Sequence, residues 1–292
     1  MKKIIMVTLG MLSAGLLCAQ TGKLYIGPEN PTDTRWATKA DFDGSIIFCR
    51  GFYTSDRQEA NGGGWWTDYP GGDNNFLVRL SELTETRVRF SKDRIPFFVV
   101  VHLDDPLLFK CPILFMEDVG TVRFTDRQVE MLTRYFAQGG FLWVDDFWGS
   151  QAWEQWEYEI RRVLPSGTHP MFDIPTDHPI MHMLYEVPKI HQQPTIGLWN
   201  TSCSGDEFDS DATVIPCLDQ RWPTSERGAD SAEVHFRGIQ DENGHLQVVM
   251  THNTDIADGW EEEKPNNMAY IHEFSAKCYA IGVNIFLYAL TH

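Results

Sequence analysis

Three stretches of this sequence are apolar almost without interruption and then stop on polar residues: FFVVVH at 97–102, GGFLWVDD at 139–146 and LQVVMTH at 246–252. A strand with one wet face alternates apolar and polar residues, whereas a strand covered on both faces does not. Runs of this kind therefore demand a sheet held between layers of helix. The intervening segments supply the helices. Residues 74–85 place Phe76, Leu77, Leu80 and Leu83 at helical spacing, with Asp73 expected as the N-cap. Thr125 and Gln128 form a capping box for a helix that carries Val129, Leu132 and Phe136 and stops at Gly139. Residues 153–163 and 270–290 are expected to be helical, and shorter strands are expected at 45–50, 113–116, 213–215 and 233–236. Strand and helix alternate, so the fold class is α/β, with three layers around a mostly parallel sheet. No linker rich in Pro, Ser or Gly divides residues 45–292, which read as one domain behind a polar lead-in at 20–44.

The chain opens with Lys2 and Lys3, then an apolar run at 4–17, then Ala19. That run is shorter than the roughly 20 residues a membrane span needs. It reads as a secretory signal cut after Ala19; Leu17 directly before Cys18 fits a lipoprotein signal poorly. The protein is therefore expected to be periplasmic or extracellular, with no membrane span after the signal. Removing the leader leaves 22 basic residues against 41 acidic ones. That balance argues against nucleic acid as a partner. Five cysteines remain, so at least one is not paired within the chain. Cys203 and Cys217 are the pair suggested by spacing, while Cys49 and Cys111 read as buried structural thiols.

The polar residues at strand exits are the candidates for chemistry, because parallel sheets bind ligands at the carboxyl ends of their strands. Asp145 and Asp146 end GGFLWVDDFWG; they suit a metal, a general base or sugar hydroxyls, or simply cap the next helix. THNTDIADGWEEE at 251–263 brings His252, Asn253, Asp255 and Asp258 to a second exit with Trp260 alongside, either a site or an Asx-rich turn. GGGWWTDYPGGD at 62–73 offers Trp65, Trp66, Asp68 and Tyr69 on a glycine-rich loop, either a stacking platform or loop anchors. His178, between Asp177 and Pro179, is a weaker candidate, and GDEFDSDA at 205–212 reads as a solvated acidic loop. The sequence has no GxSxG, no CxxC and no P-loop.

Taken together, GGGWWTDYPGGDNNFLVRLSELT, GGFLWVDDFWG, DHPIMHML, HNTDIADGWE and YAIGVNIFLYALTH resemble the bacterial family called domain of unknown function 4159, over residues 45–292. The resemblance implies a flavodoxin-like sheet similar to class I glutamine amidotransferases. In that wider group the Gly-Gly-apolar strand leads to a turn bearing the catalytic Cys, and a later strand supplies a His. Here Asp145 and Asp146 stand near the nucleophile's place and the Cys is missing, which removes amidotransferase chemistry; His252 matches the late His. DHPIMHML also looks like a segment of trehalose-utilisation-type relatives, which points toward carbohydrate.

Two readings follow. One is an exported module binding a small molecule or glycan, with Trp65, Trp66, Trp148 and Trp260 stacking and Asp68, Asp145, Asp146, His178, Asn253 and Asp258 holding polar groups. The other is a carboxylate-based or metal-dependent hydrolase in which Asp145 or Asp146, His252 and Asp255 converge. No cofactor is identified, and a divalent metal is compatible with either. A structural protein of the envelope with a degenerate site is the remaining alternative.

Overall fold

A computed structural model describes residues 22–203 and 223–292. Seven strands form one sheet in the order β2-β1-β3-β4-β7-β6-β5. They are β1 Phe48–Phe52, β2 Phe98–His102, β3 Ile113–Glu117, β4 Phe141–Phe147, β5 Met171–Asp173, β6 His235–Gln240 and β7 Leu246–His252. The pairs β1–β2, β1–β3, β3–β4 and β4–β7 are parallel; β6 runs antiparallel to both β7 and β5. This is the expected mostly parallel, flavodoxin-like α/β sandwich.

Side-chain alternation along each strand divides the core in two. One face carries Cys49, Val99, Leu114, Met116, Leu142, Val144, Val248 and Met250. It is covered by α2 (Asp126–Ala137) and α3 (Gly149–Val163), through Met131, Leu132, Trp156 and Ile160. The other face carries Phe48, Val100, Phe115, Trp143 and Val249. It is covered by α1 (Gly71–Leu83), the short α5 (Asp258–Glu261) and the terminal helix α6 (Met268–Thr291), through Phe76, Trp260, Ile281 and Ile285. Helix α4 (Ile196–Cys203) lies in the connection between β5 and β6.

Several local expectations are corrected. Asp73 is not an N-cap: α1 begins two residues earlier, at Gly71, and Asp73 is drawn inward by a buried arginine, Arg50. Helix α3 starts at Gly149 rather than Trp153, because Asn253 Oδ1 accepts from the Gly149 amide (2.8 Å) and Asp230 Oδ2 from the Ser150 amide (2.9 Å). These caps come from distant segments, so nothing beside the helix announces them. Helix α6, 24 residues long, is long and apolar enough to cross a membrane, contrary to the reading that no later stretch is; 61% of its most apolar stretch is buried in the protein, as in a core helix. The lead-in packs onto the domain: the Ala37 amide donates to Val100 O, and the Val100 amide to Arg35 O, each at 2.8 Å.

Cys49 and Cys111 are joined in a disulfide, not left as thiols. Cys49 lies on β1, and Cys111 precedes β3, the strand beside it. Their proximity follows from the strand order, which skips β2 and is not visible in sequence spacing. Strand 213–215, the loop 205–212 and the Cys203–Cys217 pairing lie outside the described residues and side chains. The Cys49–Cys111 bond spans 62 positions, a loop long enough for about 4 kcal/mol of stabilisation through the unfolded chain. A dithiol reductant, or the Cys49→Ala/Cys111→Ala double variant, is expected to lower the urea midpoint accordingly; an unchanged midpoint would count against the bond.

Candidate functional site

The three central strands β3, β4 and β7 end alike. Each carries near its carboxyl end a polar residue followed by an Asp or Asn in the left-handed region: Glu117 then Asp118 (φ 49°), Asp145 then Asp146 (φ 50°, just before the last β4 residue, Phe147), His252 then Asn253 (φ 63°). Asp68, on the loop before α1, is left-handed too (φ 59°). Asp and Asn tolerate this conformation better than other side chains. At β4 it coincides with a register shift between Val144 and Phe147, which fits both acids into the strand end.

Strand parity then decides which groups meet. Glu117 and Asp145 are register partners and share the α1/α6 face with Arg50 and Thr251. Arg50 is fully buried and donates to both Asp73 oxygens, to Glu117 Oε2, and to the carbonyls of Trp65 and Thr67. Asp145 is fully buried; Oδ1 accepts from the Thr251 hydroxyl and Oδ2 from the Ala257 amide (3.0 Å). Burial pushes its carboxyl up to about 7. Asp145 therefore pins the loop after β7, with each oxygen already engaged by a donor of the protein. Asp146, 5% exposed, accepts from the Trp148 indole nitrogen at 2.7 Å. Burial, with Glu226 and Asp118 nearby, holds it well above the usual carboxylate range.

Asp255 Oδ1 accepts from the Asp258 amide (2.8 Å), and Asp258 Oδ2 accepts from the Tyr270 hydroxyl (2.9 Å) and the Ile196 amide (3.0 Å). Asp68 receives no side-chain cation; its amide donates to Glu29 Oε1 at 2.7 Å. Burial and neighbouring acids raise Asp68, Asp255 and Asp258 well above the ordinary range, and burial does the same to Glu117. The carboxyl ends of the strands thus form a buried acidic nest. Two cavities of about 460 and 490 Å³ lie elsewhere, one beside His191, Trp199 and Phe274, the other beside Phe141, Leu246 and His292. Neither is lined by any of these strand-end acids.

Other expected members lie outside the nest. His252 takes the opposite parity, facing α3: it stacks on Phe147 (4.7 Å) and lies tilted against Trp153 (5.2 Å), and its Nε2 lies 3.1 Å from Gly149 O. It forms no hydrogen bond with any of the acids. Asn253 is spent on capping, donating to Glu233 O (2.6 Å) while accepting from Gly149. Trp260 is fully buried against Phe76 (4.5 Å) and Trp143 (5.4 Å), and Trp148 is 4% exposed, so neither is a stacking surface. His178 caps a short turn by accepting from the Ile180 amide and lies 5.5 Å from Tyr288, which neighbours Phe141 at the start of β4; it is at the other end of the sheet. Trp66 is half-buried over Gly63.

Trp65 is half-buried in an aromatic group that also contains Trp36, Phe52 and His102. Trp36 stacks on His102 at 4.4 Å with its ring 11° from parallel, and is 41% exposed. The readings missed Glu117, Arg50, Glu29, Trp36 and His102. Two had a usable signal: FMED at 115–118 repeats the apolar-acid-Asp ending of WVDD, and His102 is the polar stop of the run FFVVVH. A thiol–imidazole pair does exist, Cys278 Sγ lying 3.4 Å from His191 Nε2. It is no activated nucleophile: burial, with Asp145 and Asp258 nearby, pushes the thiol well up, and burial takes the imidazole down to about 4.

Burial also takes His252 from the ordinary 6.5 down to about 3. The unfolded chain therefore gains a proton near pH 6.5 that the folded protein refuses until about pH 3. The stability contributed by neutral His252 is complete above 6.5 and drains away as pH falls through that window. His252→Phe keeps the ring stack and removes the titration. Relative to its own offset at pH 8, the variant is expected to gain about 2 kcal/mol on the parent at pH 5. Parallel urea titrations at the two pH values check this; equal pH dependence would refute it.

No curated protein matches the chain at a significant level. Residues 56–290 match the family model described as domain of unknown function (DUF4159). That match begins after β1 and runs from the loop before α1 to one residue short of the end of α6, well over half of the chain, so the chain belongs to the DUF4159 family.

Proposed function

We propose that this protein is an exported ligand-binding module that takes carbohydrate on the aromatic group at the carboxyl ends of β1 and β2. The observation that carries this reading is the Trp36–His102 stack, backed by Phe52 at 5.3 Å and Trp65 at 6.1 Å from the Trp36 ring. A flat, partly exposed indole suits the apolar face of a sugar ring. The platform is held by main-chain bonds on either side of Trp36, to Val100 of β2, so little freedom is lost on binding. A contiguous aromatic group at the surface is a stronger sign of a partner than a single exposed ring.

Export is supported by Lys2, Lys3, the apolar run at 4–17 and Ala19, and by the Cys49–Cys111 bond, which an oxidising compartment sustains. The reading takes no step from amidotransferase chemistry, since the exit of β4 carries Asp145, Asp146 and Trp148 rather than a thiol. A hydrolase built on His252 with Asp145 or Asp146 has no contact in its favour. Divalent metal remains compatible with the acidic nest, as a second ligand of the same sheet end.

Affinity electrophoresis through gels containing a panel of soluble polysaccharides tests the carbohydrate reading. The mature protein is expected to be retarded by at least one polymer, and Trp36→Ala to weaken that retardation about tenfold, the equivalent of one lost stacking contact. Trp36→Phe is expected to restore most of it. Retardation by no polymer, or equal retardation of the Ala variant, would overturn the reading.

A further inference from the structure

The acidic nest is a site in its own right, separate from the aromatic platform. Asp68, Glu117 and Asp255 each place a carboxylate oxygen within 4.8 Å of the other two. All three side chains belong to buried residues, 3%, 0% and 1% exposed. They come from three different parts of the chain: the loop before α1, the last position of β3, and the turn after β7. Two of their oxygens, Asp68 Oδ2 and Glu117 Oε1, have no hydrogen-bond partner among the described residues. A buried polar oxygen without a hydrogen-bond partner is costly and rare in native proteins. Arg50 makes the arrangement directional. By holding Glu117 Oε2 it leaves Oε1 as the free atom of the pair.

From this geometry we infer that Asp68, Glu117 and Asp255 bind a single hard divalent cation of the Mg²⁺, Mn²⁺ or Ca²⁺ class. Three oxygens within 4.8 Å of one another can share an ion at the 2.0–2.6 Å distances such cations use. The donor set is carboxylate only, with no imidazole or thiolate in the cluster, and this favours oxygen-seeking ions over zinc or copper. Asp68 also approaches Asp258 and Glu261, but that second group is already engaged. Glu261 Oε1 is 3.0 Å from the Lys264 ammonium, and Asp258 Oδ2 accepts from Tyr270 and Ile196. The ion belongs to the group in which Asp68 and Glu117 each keep one oxygen without a donor. The inference does not depend on the carbohydrate reading.

The test uses the full mature protein, stripped with EDTA and dialysed into metal-free buffer at 150 mM NaCl to screen surface charge. MgCl₂, MnCl₂ and CaCl₂ are added singly. Metal content is measured after gel filtration, and thermal unfolding is followed in parallel. One equivalent per chain and a rise in melting temperature are expected with at least one of the three ions. Asp68→Asn and Asp255→Asn preserve shape while removing a charged ligand; each is expected to weaken binding at least tenfold, and in EDTA to melt no lower than the parent. Asp126→Asn alters a fully exposed acid and should bind like the parent. Binding of none of the three ions would overturn the inference, as would equal binding by Asp68→Asn and Asp255→Asn. A loss shared equally by Asp126→Asn would show only diffuse attraction to an acidic surface, and would also overturn it. Retardation by polysaccharide is read separately on the EDTA-treated protein, so either proposal can fail alone.

Discussion

One guanidinium organises the functional end of this protein. Arg50 is the one fully buried arginine among the described residues, and its bonds run to α1 through Asp73, to β3 through Glu117, and to the loop before α1 through the carbonyls of Trp65 and Thr67. Its plane also lies over the Phe115 ring at 5.2 Å. Burying one cation with two carboxylates is not a cheap source of stability, but removing the cation would strand two charges, at a cost of about 3–5 kcal/mol. What the arrangement supplies is position. It fixes the 64–70 loop against the strand ends, and that loop carries both Trp65 of the aromatic platform and Asp68 of the acidic nest.

The same knot explains why acids accumulate around it. Glu117 and Asp145 are cross-strand partners, a pairing that like charges ordinarily oppose. Asp145 is compensated by the Thr251 hydroxyl and backbone amides and Glu117 by Arg50, so each keeps one organised environment. Asp68 has no such compensation from a side-chain cation, and Glu117 spends only one of its two oxygens. The nest is thus unevenly satisfied: fully on the β4 side, incompletely toward β3 and the α1 loop. Evolutionary neglect would leave such groups anywhere on a surface, but here they are buried and turned toward one another.

Much of this fold could be read before any coordinates. The unbroken apolar runs required a covered parallel sheet, the Thr125–Gln128 capping box set the start of α2, and VDD marked a strand exit. What failed was parity. A strand buried on both faces shows no alternation, so LQVVMTH does not reveal that His252 points toward α3 while Thr251 points toward Asp145. Partnerships between segments far apart in sequence were equally hidden. Arg50 meets Asp73, Cys49 meets Cys111, and Asn253 caps α3, each through the strand order rather than through spacing. Trp36 escaped notice because it lies in a polar lead-in that reads as a leader, yet forms a bridge beside β2.

The two proposed ligands share a physical logic. A sheet edge that exposes an indole needs a rigid backbone beneath it, and the lead-in supplies this by hydrogen-bonding Arg35 and Ala37 to Val100. The lead-in also sends Glu29 to the Asp68 amide, holding Asp68 in its left-handed turn with a carboxylate rather than with a cation. One peripheral segment therefore steadies both the platform and the loop residue that brings a carboxylate to Glu117 and Asp255. A divalent ion in that position would tie the α1 loop to β3 and to the turn after β7; Arg50 joins only the first two, and Asp145 joins the turn after β7 to β4. Stiffening that loop would in turn hold Trp65 beneath Trp36, so an ion buried in the nest has a direct mechanical route to the aromatic surface.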